Sequence, residues 1–196
     1  AKAATNTGLD LTQPLTSAGY SYQNTYIAPG ILGDSRSTDL SIAFGQNQFK
    51  IVWPYSEDLH FPAEHGVNGA SDVGLQYNYV FADSTSKLRQ TVGAVASFPS
   101  NTALSSGEQQ IGGLYQAAYD MNQRTSLLFL GKYTIGTNPT PAASRYNEFT
   151  LNPSALMTFN NNAYAAIGPE YTAYSGQLHD ATYDARIDVG KVFANH

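Results

Sequence analysis

The chain has no cysteine among its 196 residues. Disulfides, thiol nucleophiles and thiolate metal sites are therefore excluded, and such a chain suits passage through an oxidising periplasm. It also lacks any run approaching about 18 to 20 apolar residues, so no helix of this sequence spans a bilayer. Charge is sparse, with 13% of residues charged and ten basic against fifteen acidic side chains, for a formal net charge of −5. Nucleic-acid backbones need a basic stripe, which a chain of isoelectric point near 5.2 does not offer, so nucleic acid is excluded as a partner. Gly-x-Ser-x-Gly, glycine-rich phosphate loops and His-Glu-x-x-His are missing. No catalytic set, metal site or cofactor is legible. No linker or charge run divides the chain, which reads as one domain over residues 1–196. No charged segment followed by an apolar one opens it, and Ala1-Lys2-Ala3-Ala4 fits the start of a mature exported chain.

What the sequence does contain is an alternation of apolar and polar residues, repeated in about ten segments. From Asp72 to Ala82, Val73, Leu75, Tyr77, Tyr79 and Phe81 fall on one face and Asp72, Gly74, Gln76 and Asn78 on the other. Successive side chains of a strand point to opposite faces, so each segment has one oily and one wet wall. Further strands are expected from Ala18 to Ala28, Thr38 to Gly45 and Phe49 to Trp53, where Pro54 ends the third. Six more follow in the Leu88–Phe98, Ile111–Tyr119, Leu127–Ile135, Phe149–Phe159, Ala163–Tyr174 and Thr182–Phe193 stretches. Pro153 removes a ladder donor and predicts a bulge. Residues 1–17, broken by Pro14, read as an irregular lead-in on the periplasmic side or a segment tucked into a barrel. Short turns at 45–48, 83–87, 121–124 and 160–162 alternate with longer loops at 29–37, 54–71, 99–107, 136–146 and 175–181. Short periplasmic turns, longer extracellular loops and an even strand count are the organisation of an up-and-down outer-membrane β-barrel.

Charge placement separates a membrane barrel from a soluble sandwich or lipocalin-like barrel. Asp39, Lys50, Arg89, Lys132, Glu148, Glu170, Asp184, Arg186 and Asp188 all fall on the polar face, and Lys191 alone falls on the apolar one, near a strand end. A Lys or Arg at the lipid midplane costs about 2 to 4 kcal/mol, so a bilayer would enforce this segregation. A soluble exterior usually carries more Lys and Glu than this chain has. Fourteen Tyr and nine Phe, against one Trp and two Met, supply two aromatic girdles. Phe44, Phe81, Tyr119, Phe159 and Phe193 lie at the turn ends, and Trp53, Phe98, Tyr133, Phe149 and Tyr171 lie near the loop ends. The sequence therefore predicts an all-β, antiparallel transmembrane barrel of about ten strands in a bacterial outer membrane.

Phe49-Lys50-Ile51-Val52-Trp53-Pro54-Tyr55, and the later Ser71-Asp72-Val73-Gly74-Leu75-Gln76-Tyr77-Asn78-Tyr79-Val80-Phe81, carry a resemblance. A strand ending in Pro, a loop, then a Gly-Leu-x-Tyr strand resembles an outer-membrane transporter family associated with the meta pathway of phenol degradation, over about half the chain. The closing Tyr183, Ala185, Ile187, Val189 and Phe193 look like the terminal strand that outer-membrane assembly machinery recognises, except that Ala194-Asn195-His196 follow the aromatic. The resemblance implies uptake of small solutes, hydrophobic ones included; it carries no binding residues.

The candidate site is a charged lumen. Glu170 and Arg186 fall at similar depth on neighbouring strands, with Lys132, Glu148, Asp184 and Asp188 close by in a simple register. These six either select solutes at a constriction or form a salt-bridged plug, which a narrow ten-strand interior favours. With water excluded, loss of Arg186 would cost about 3 to 5 kcal/mol. His60, His65 and His179 lie beside Asp58, Glu64 and Asp180 in the expected outer loops. A rim-active hydrolase resembling the ten-stranded omptin proteases would use such groups, but no paired-acid motif accompanies them. The leading expectation is a narrow channel or uptake protein. Its alternative is a non-transporting barrel serving as scaffold, adhesin or partner-binding surface.

Overall fold

The computed structural model describes residues 9–28, 31–60, 67–70, 72–81, 86–100, 108–137, 146–159, 162–176 and 180–191. They form eleven strands and no helix: β1 (Ser17–Ala28), β2 (Ile31–Phe44), β3 (Asn47–His60), β4 (Val67–Ala70), β5 (Val73–Val80), β6 (Leu88–Phe98), β7 (Gln109–Asp120), β8 (Thr125–Thr137), β9 (Tyr146–Thr158), β10 (Ala163–Gly176) and β11 (Asp180–Lys191). Ten of them make one curled antiparallel sheet, a half-barrel, in the order β1-β2-β3-β5-β6-β7-β8-β9-β10-β11; β4 pairs with β3 off this path. Each strand on the path neighbours the next, as hairpin connections dictate. The β2–β3 turn is two residues, Gly45 and Gln46, closed by Phe44 opposite Asn47. Gly45 has φ +61°, the left-handed conformation that a tight hairpin requires at its first central position.

The first three strands are longer than the alternation suggests. Residues 31–37, expected in a loop, belong to β2, and Ala28 pairs with Ile31 across a connection of only two residues. β3 does not stop at Pro54 but continues to His60. On one side β3 pairs with β2 throughout, Pro54 lying opposite Ser37. On the other, its partner changes from β5, which ends at the Val52–Gly74 pair, to β4, which begins at the Tyr55–Ala70 pair. Pro54 sits in that interval, where its missing N–H deprives no partner of a bond. Pro153 also differs from expectation, since the β9–β10 register is the same on either side of it and no extra residue is inserted. The sheet carries an interruption there rather than a bulge.

The register fixes two faces. The inner face, against which residues 9–16 lie, carries Gln48, Asn78, Thr91, Gln116, Thr134 and Thr150. The outer face carries Phe49, Tyr77, Tyr115, Phe129, Tyr133 and Phe149. Asn78 and Thr91 are 0% exposed, whereas Phe129, Tyr133 and Ile135 are each 45% exposed. The polar side chains are inside and the large apolar ones outside, the reverse of a soluble fold. Phe44, Phe81, Tyr119 and Phe159, at the turn ends, and Trp53, Phe98, Tyr133 and Phe149, toward the loop ends, are all exposed on the outer face; Tyr171 is only half-buried there, packed on Tyr183, and Phe193 lies outside the described residues. Where a closed barrel is expected, β1 and β11 are the two edges of the sheet, with no pairing between them among the described residues. Most of β11 is exposed on both faces in consequence.

Gly112 faces inward, and a Cβ there would collide with the Tyr133 carbonyl and the Thr134 backbone, whereas nothing lies within 4 Å of one at Gly131. Gly112→Val should therefore destabilise by about 1 to 3 kcal/mol, the ordinary cost of overpacking. Gly131→Val should leave the urea midpoint unchanged or raise it.

Candidate functional site

The inner face is built for hydrogen bonding, and the segment before β1 uses it. Asp10 makes a tight local turn, accepting from the Thr12 N–H at 3.0 Å through its side chain and from the Gln13 N–H at 3.1 Å through its carbonyl. A short acid side chain suits this conformation because it can satisfy nearby backbone donors. The turn lays residues 9–16 across the sheet. At one end, Ser41 Oγ and Gln48 Nε2 donate to the Leu15 carbonyl at 2.6 and 3.0 Å, and the Ala43 N–H donates to Thr16 Oγ1 at 2.9 Å. In the middle, Thr91 Oγ1 donates to the Leu11 carbonyl at 3.1 Å. The Gln116 amide then works both ways, accepting from the Leu11 N–H at 2.6 Å and donating to the Leu9 carbonyl at 3.1 Å. At the far end Leu9 packs on Ala118, Leu128, Leu156 and Ala166, with Tyr164 beside it. The segment thus runs from β2 to β10 along the half of the sheet nearer the turns.

The charged centre of this arrangement is Arg89 on β6. Its Nη2 reaches Asp10 Oδ2 at 2.8 Å and Asp120 Oδ1 at 3.1 Å, its Nε donates to Thr12 Oγ1 at 3.1 Å, and Nη1 completes the pair with Asp120. Ser126 Oγ donates to Asp120 at 2.7 Å. The side chains of Arg89 and Asp10 are 8% and 2% exposed. A planar guanidinium with five donors is suited to hold two carboxylates and a hydroxyl at once.

The six charges expected to line the lumen do not form one cluster. On β8 and β9, Lys132 pairs with Glu148 at 2.5 Å, and Glu148 accepts from Thr150 at 3.2 Å. On β10 and β11, Arg186 pairs with Glu170 at 3.3 Å and with Asp188 at 3.0 Å, while Asp184 stands directly across from Glu170. Thr150 and Thr172, with hydroxyls 3.5 Å apart, lie between the two groups. A third pair, Asp39 with Lys50 at 3.4 Å, bridges β2 and β3. Arg89 and Arg186 share one register row, with Ala118, Leu128, Ser154 and Gly168 between them. An arginine clasped by acids therefore stands at each end of a row of small and apolar residues, Ser154 and Gly168 facing each other across the unpaired step of β9 and β10.

Sequence reasoning placed Arg89 on the polar face but missed both of its acids. Asp120 was legible, since it continues the inward set Gly112, Leu114, Gln116 and Ala118. Asp10 was not, because its partner is 79 residues away. Glu108, fully buried at the loop end beside Gly136 and within 3.4 Å of the Tyr146 N–H, was also missed. Of the rim residues, Asp58 and His60 fall in β3 and Asp180 begins β11, while Glu64, His65 and His179 lie outside the described residues. No group of three or more His, Asp or Glu placed to hold a metal ion occurs among the described residues. Comparison of the chain with protein-family models and with curated proteins gave no match.

The two arginines should respond differently to removal. Arg89→Ala leaves Asp10 and Asp120 together without their counter-charge, and the expected loss is about 3 kcal/mol or more, the cost of breaking a buried pair. Residues 9–16 should become open to protease in the same variant. Arg186 is 52% exposed at its side chain, so Arg186→Ala should cost under about 1 kcal/mol. Urea unfolding of the two variants measures the contrast.

Proposed function

We propose that the chain is a small outer-membrane β-barrel that admits small solutes, apolar ones included, through a lumen floored by residues 9–16. The inverted burial carries this reading. An outer face of exposed Phe, Tyr, Leu and Ile with a buried face of Thr, Asn and Gln is costly in water and favourable in lipid. On β8 the outward positions from Leu127 to Ile135 cover about 26 Å along the strand. At barrel tilt that is about 20 Å of bilayer, close to the ~25 Å apolar band of such proteins. Exposed sheet edges are not tolerated in hydrocarbon, so in a membrane β1 and β11 pair and close the sheet. The likeness of residues 49–55 and 71–81 to an outer-membrane transporter family supports the same direction.

The floor favours a specific kind of channel. Residues 9–16 are held by hydrogen bonds to at least five inner-face side chains, among them Gln48, Thr91 and Gln116, and a narrow barrel has little room beside such a segment. The same segment supports the second reading, a permanently closed barrel that acts through its outer loops. Planar-bilayer recording separates them. The full chain should show low conductance, and Asp10→Ala with Gln116→Ala, which releases the segment, should give larger discrete steps. A released segment without any steps favours the non-transporting barrel.

A further inference from the structure

The ladder between β9 and β10 is broken at one place, and apolar surface lies on both sides of the break. Pro153 and Pro169 face each other across the two strands. Pairing holds up to Ile167–Ala155 on one side and resumes at Tyr171–Leu151 on the other, with none between. Neither proline has an N–H to give, so both bonds of that register position are missing. The Pro169 carbonyl instead accepts from the inward-facing Asn152 Nδ2 at 3.2 Å. Proline within a sheet is ordinarily confined to edges and bulges; here two oppose each other between central strands, in an unshifted register.

On the outer face, Pro153 and Pro169 line a groove of about 500 Å³ together with Leu127, Phe129, Ala155 and Ile167. That volume is in the range of small-molecule sites. On the inner face, the break adjoins the apolar cluster of Ala118, Leu128, Leu156 and Ala166. Leu128 is the register partner of Ser154, and Leu156 that of Ala166, so the cluster borders Pro153 and Gly168 directly. This patch is covered by Leu9 at the end of the floor segment. A molecule that displaced Leu9 would meet hydrocarbon rather than the amides and hydroxyls that line the rest of the face. The groove offers such a molecule no charge, and its two prolines offer no donor.

We propose that the Pro153–Pro169 break is a lateral site for a small apolar molecule, an aromatic or short aliphatic hydrocarbon, which moves between the patch under Leu9 and the outer groove. The proposal rests on the membrane-barrel reading above. Asn152 is the closing contact of the site, holding the strands where the backbone bonds are absent, and Leu9 is its inner cover.

The test measures uptake of the apolar fluorophore N-phenyl-1-naphthylamine by bacteria carrying the chain in their outer membrane, with heat-modifiable gel migration reporting insertion. Pro153→Val with Pro169→Val restores both donors without adding polarity. Two ladder bonds at ordinary net strength should lower the open fraction, and hence uptake, about tenfold or more. Ala155→Trp fills the groove with the ladder unaltered and should lower uptake as well. Ion conductance should be unchanged in both. Inserted variants that take up the fluorophore as fast as the unmodified chain overturn the lateral site, as does an inserted unmodified chain no faster than cells without it. A chain that does not insert at all overturns the barrel reading itself, and the lateral site with it.

Discussion

A sheet face made of amides and hydroxyls can be covered only by something that hydrogen-bonds to it. That constraint organises this molecule. The cover is eight residues of chain, 9–16, whose own backbone groups are left free of a ladder and are satisfied by Ser41, Gln48, Thr91 and Gln116. A buried polar group without a partner costs about 1 to 3 kcal/mol, so segment and face complete each other's bonding. Gln76, Asn78 and Gln48 extend the network, each handing a hydrogen bond to the next before Gln48 reaches the Leu15 carbonyl. Arg89 adds charge to the same joint, tying the segment to β6 and β7 together.

The period of two was legible in the sequence because it is local. It placed Asp39, Lys50, Arg89, Lys132, Glu148, Glu170, Arg186 and Asp188 on one face without any knowledge of pairing, and the register agrees at each of them. Strand ends were less legible. Gly33, Asp34 and Ser35 have the composition of a loop yet pair with β1 and β3, since neighbours on both sides override weak propensity. Pro54 read as a stop because its missing donor matters in most strand positions; it does not matter where the partner strand changes. Pro153 alone predicts a bulge, but its consequence depends on Pro169, and only the register brings the two together.

The candidate site shows the same division. The pairs Lys132–Glu148 and Arg186–Glu170 join adjacent strands and follow from the alternation plus hairpin order. The clasp at Arg89 depends on a segment folding back over the sheet, and nothing in the alternation of β6 announces it. Its consequence is a division of labour among the arginines. Arg89 is buried and ties residues 9–16 to the sheet, whereas Arg186 is half exposed and, among the described residues, pairs only with acids of its own strand and the neighbouring one.

Lipid contact along the outer face is directly measurable because the chain has no cysteine. Single cysteines at successive positions from Leu127 to Ile135 on β8, labelled with an environment-sensitive fluorophore in phospholipid vesicles, report which positions contact acyl chains. Quenching by nitroxide-bearing lipids should alternate, strong at Leu127, Phe129, Gly131, Tyr133 and Ile135 and weak at Leu128, Leu130, Lys132 and Thr134. Uniform quenching along the strand, or none at the odd positions, would show that lipid does not cover this face.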